Sequence, residues 1–131
     1  MRPDTLARLS LALLVVLLIV LGVRITGGPE TGRMEERDRT RLSDLRDVAT
    51  TVRAAANAES GTLPEALDSM IGAPSDLRLA DPFTGAPYRY ERLSDRAFRV
   101  CADFELPDRI RRPQVTDFDG GSGCLTYTYQ P

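Results

Sequence analysis

From Leu9 to Val23 the chain reads LSLALLVVLLIVLGV, an uncharged run that only Ser10 and Gly22 interrupt. Such a helix is apolar on every face, so it needs apolar surroundings on every face. Counted from Leu6 to Ile25 the stretch has 20 residues, enough at about 1.5 Å per residue to cross a hydrocarbon layer of about 30 Å. Arg8 and Arg24 stand near its two ends, where long basic side chains reach the head groups. Residues 1–25 are therefore read as a single-pass anchor with a short N-terminal tail, touching lipid through residues 6–25. Two alternatives are a buried core helix and a cleaved signal peptide. The first conflicts with the all-round apolarity. The second lacks an A-x-A site and has a long apolar run for its class.

The flanking charges disagree about orientation. Arg2 and Arg8 precede the span, whereas Arg24, Arg33, Arg37, Arg39 and Arg41 follow it. A bare count favours a cytoplasmic C-terminal domain. Against that, residues 27–32 carry no basic side chain, a domain of this length can translocate despite its charges, and a cysteine pair suits an oxidising compartment. The expectation is a chain in the inner (cytoplasmic) membrane with an extracytoplasmic domain.

What remains is about 105 residues, enough for one small domain with a modest core. Its chemistry is limited by composition. The 17 basic residues are all arginine, and Lys, His and Trp are absent. Schiff-base and P-loop lysines, histidine bases and histidine-ligated metals are excluded, and two cysteines without histidine make no structural zinc site. A net charge of -2 argues against a nucleic-acid partner. The carboxylates lie scattered among arginines with no catalytic constellation, so no enzyme is expected.

Thr26 to Gly32 holds three glycines and a proline and is expected to be a flexible linker over residues 26–32. The soluble domain is assigned to residues 33–131. In it, Leu42, Leu45, Val48, Ala49, Val52, Ala55 and Ala56 recur at spacings of three and four, one face of a long helix ending near Gly61. Arg37, Arg39, Asp44, Asp47 and Arg53 fall off the stripe and are expected on a solvated face. Thr62 and Glu65 fit a capping box around Pro64, opening a short helix to about Met70. Asp81-Pro82-Phe83-Thr84-Gly85-Ala86-Pro87 is a turn leading into a strand that starts at Pro87 and sets Tyr88 and Tyr90 on one face; an ion or phosphate cradle at its Asp, Thr and Gly is the weaker alternative.

Residues 93–96 turn that strand into a second, where Phe98, Val100, Ala102 and Phe104 alternate with Arg99, Cys101 and Asp103. A further strand sets Leu125, Tyr127 and Tyr129 opposite Cys124, Thr126 and Thr128. Cys101 and Cys124 are candidates for one structural disulfide between neighbouring strands, with two buried thiols or a redox pair as alternatives. Arg109, Arg111 and Arg112 crowd the loop between these strands.

Gly61, Leu63 and Pro64, then Asp81, Pro82, Gly85, Pro87, Tyr88 and Tyr90, follow an anchor and a long helix in an order that resembles the pseudopilins of the type IV pilin-like superfamily, the major pseudopilin of type II secretion above all. The likeness covers roughly residues 33–104. It implies an α+β fold in which the long amphipathic helix packs on a small antiparallel sheet, with no enzymatic activity. The chain departs from the group in lacking the prepilin leader motif: no acid occurs from Thr5 to Pro29. A tethered pilin-like module with an unidentified protein partner in the bacterial cell envelope is expected, and a genuine pseudopilin or pilus subunit is the alternative. No cofactor is expected. A calcium site at Asp117 and Asp119 is the one exception considered: their D-x-D-G spacing suits a calcium loop and the resemblance implies a C-terminal calcium site, but no glutamate follows at the twelfth position.

Overall fold

The computed structural model describes residues 3–70, 72–110 and 117–130. It divides into two compact units, Met1–Met34 and Glu35–Pro131. Arg2, Ile71, Arg111 and Arg112 lie outside the described residues.

The first unit contains α1, Pro3–Thr26. Its large apolar side chains point outward all round, from Leu9 and Leu13 to Leu18 and Val23. This is the one helix among the described residues that is long and apolar enough to cross a membrane. The break after it is narrower than the seven-residue linker expected. A second helix, α2, already begins at Pro29 and continues to Ala58, so only Gly27 and Gly28 separate the two. The reason is local. Gly27 takes φ 73°, and the Gly28 carbonyl accepts the N–H of Thr31 at 3.0 Å. Pro29 then enters at the first helical position, where a fixed φ and a missing N–H both suit a helix start.

The second unit is built on α2. Leu45, Val48, Ala49, Val52 and Ala56 form its buried stripe and pack with Phe98, Val100 and Leu125 of the sheet. The helix ends as the glycine predicts, with an addition. Ser60 (φ 59°) and Gly61 (φ 90°) are both left-handed, and the Gly61 N–H closes a 2.8 Å bond to the Ala56 carbonyl, the outer bond of a Schellman motif. The expected capping box does not form. Leu63 and Pro64 are buried, the following turn is a single 3-10 turn over Leu67–Ser69, and no side chain caps it. The Pro64 carbonyl instead accepts the Tyr90 hydroxyl at 2.7 Å.

Four antiparallel strands follow: β1 Arg89–Ser94, β2 Ala97–Cys101, β3 Phe118–Asp119 and β4 Cys124–Thr128. Their order is β1-β2-β4-β3. The β1–β2 hairpin turns at Asp95-Arg96, with a register shift between Arg92 and Ser94. Pro87 precedes the strand rather than opening it, and forms an isolated bridge with Ala80. β3, within the segment expected as loop, pairs Phe118 with Leu125, and the Phe118 ring meets Phe104 edge-on at 5.2 Å. The layout is α+β, as expected.

Candidate functional site

The largest departure from the sequence reading lies in the N-terminal half of α2. Asp44 was expected on the solvated face and Asp38 and Arg41 were given no place in the core, yet all three are buried, Arg41 at 1% exposure. They extend the apolar stripe: positions 38, 41 and 45 follow one another at spacings of three and four. Arg41 donates from Nε to Asp81 at 2.7 Å and from Nη1 to Asp38 at 2.7 Å and Glu105 at 3.0 Å. The backbone N–H groups of Glu105 and Leu106 donate to Asp38 at 3.0 and 2.7 Å, and Arg37 donates to the other Glu105 oxygen at 2.8 Å. One turn further along, Tyr88 donates its hydroxyl to Asp44 at 2.8 Å, and Arg78 reaches the same carboxylate at 3.3 Å.

Asp81 serves two elements at once. Its carboxylate accepts the Phe83 N–H at 2.8 Å and the Thr84 hydroxyl at 2.9 Å, while its backbone exchanges bonds with Ala86 and Gly85. Gly85 supplies φ 74° at the tip. The turn is thus self-closed, and its carboxylate is aimed inward at the helix. Phe83 lies over Arg41, with the guanidinium carbon 5.6 Å from the ring centroid.

The electrostatics follow from that geometry. Burial opposes charge on Asp81, but the Phe83 N–H, Arg41 and Thr84 outweigh it and hold the carboxyl below the usual aspartate range. Burial likewise opposes the charge on Arg41, and its bonds to Asp81, Asp38 and Glu105 reverse that and raise its pKa. Burial first, and the Asp44 carboxylate second, push the Tyr88 phenol upward. The centre of the cluster is filled by the Arg41 guanidinium. It fastens three remote pieces of chain: α2, the 81–87 turn and the 105–106 segment.

The resemblance residues gather around this clamp and the adjoining loop. Asp81, Pro82, Gly85 and Pro87 build the turn, Tyr88 reaches Asp44 and Tyr90 reaches Pro64, whereas Gly61 and Leu63 serve the far end of α2. Arg41, Asp38, Asp44, Arg78 and Glu105 were missed as site residues. The available signal was the position of 38 and 41 on the stripe.

The two cysteines are placed as expected. Cys101 and Cys124 are register partners on β2 and β4, with sulfurs at disulfide distance, 2.05 Å, and Cα atoms 4.0 Å apart. They face away from α2, on the side carrying Arg99 and Thr126. An open cleft of about 540 Å³ lies there, lined by Arg89, Glu91, Arg99, Ser122 and both cysteines. The calcium candidates Asp117 and Asp119 lie at or beside β3. Asp119 accepts the Gly121 N–H at 3.1 Å and the Ser122 hydroxyl at 2.6 Å within its own turn, and the Asp117 carbonyl accepts the Thr126 N–H at 3.1 Å. Among the described residues no group of three or more His, Cys, Asp or Glu side chains is placed to hold a metal ion. Arg109 is paired with Glu35 of α2 at 2.6 Å.

No protein family, curated protein or solved structure matches the chain.

Proposed function

We propose that this chain is a non-enzymatic, single-pass membrane protein whose pilin-like domain serves as a structural or protein-interaction module in the bacterial cell envelope. The observation that supports it best is the exposed apolar helix α1 ahead of a domain made of one long helix and a small antiparallel sheet. The buried arginine cluster adds support, because it ties α2, the 81–87 turn and the 105–106 segment into one domain. We place the domain on the extracytoplasmic side. The cysteine pair at disulfide distance favours that side, against the arginines that follow α1. Carbonate extraction with protease protection of sealed vesicles tests both claims. The expected result is a chain that stays in the pellet and whose domain is digested only from the extracytoplasmic face; release into the supernatant would refute the anchor.

One observation favours the second reading, a genuine pseudopilin or pilus subunit. The interruption after α1 is confined to Gly27 and Gly28, close to the unbroken helix of that group. The mass of the mature N-terminus separates the two. Cleavage just ahead of the apolar run supports the subunit reading, and an intact Met1 supports the tethered module.

A further inference from the structure

No further inference is drawn: the strongest candidate, the open cleft on the face of the sheet turned away from α2, carries nothing, because its arginines are already ion-paired, Arg99 with Glu91 and Arg89 with Asp103, and nothing in the structure shows what covers it.

Discussion

Arg41 holds a full charge inside the domain, and its energetic weight follows from what its removal leaves behind. Arg41→Met would leave Asp38 and Asp81 as buried carboxylates without their cation. Breaking a buried pair in that way costs about 3–5 kcal/mol, readable as a shift of the urea midpoint. Arg41→Lys should recover little, because a single ammonium cannot serve Asp81, Asp38 and Glu105 in fork geometry. The pH dependence has a definite sign. The Asp81 carboxyl is held below its unfolded value, so its contribution is fully present above about pH 4 and is lost as pH falls through the lower folded value. Arg41 stays protonated throughout and adds no slope there. Asp81→Asn should therefore be less stable at pH 7 and should show a flatter acid limb in melting scans from pH 5 to pH 2.

At the scale of elements, two glycines carry different loads. Gly85, at φ 74°, has open space where a Cβ would go, so Gly85→Ala should cost about 1–2 kcal/mol of backbone strain alone. Gly123, at φ 67°, would place a Cβ 2.3 Å from the Ala102 carbonyl oxygen, at the base of the β2–β4 ladder. Gly123→Ala should cost clearly more, and paired thermal melts would show the order reversed if the ladder base were loose. Much of this level was legible from residue patterns. The α2 stripe, the β1–β2 hairpin and the facing cysteines all follow from periods of 3.6 and 2. What escaped was held by partners distant in sequence. Asp44 looks solvated beside Asp47 until Tyr88, 44 residues on, comes to lie over it. The capping box at Thr62 and Glu65 has correct local chemistry, but Leu63 and Pro64 gain more from burial in the core than a helix turn would give. The two-residue strand β3 is too short to show any alternation.

At the scale of the whole molecule, the buried core described for the second unit runs from Leu42 to Tyr129. A chain starting at Pro29 should fold without α1, remain in the supernatant and keep the disulfide. Reducing that bond should lower its stability by about 3 kcal/mol in the chain-entropy picture, a loss the ladder can absorb. A retained fold with a lowered urea midpoint in reductant is the expected readout; collapse of the fold would show that the strands depend on the bond.

The clamp on α2 also has a consequence in time. Asp38 receives N–H groups from positions 67 and 68 residues later, and Asn57 accepts the Tyr129 hydroxyl from 72 residues later at 2.6 Å. At about 5–20 residues per second of synthesis, some 4–14 seconds separate the helix from its last partner. Throughout that interval the buried stripe and the Arg41 charge have no finished sheet to close on. The nascent domain is therefore assembled from its end: α2 waits, largely unsheltered, until the final strand arrives.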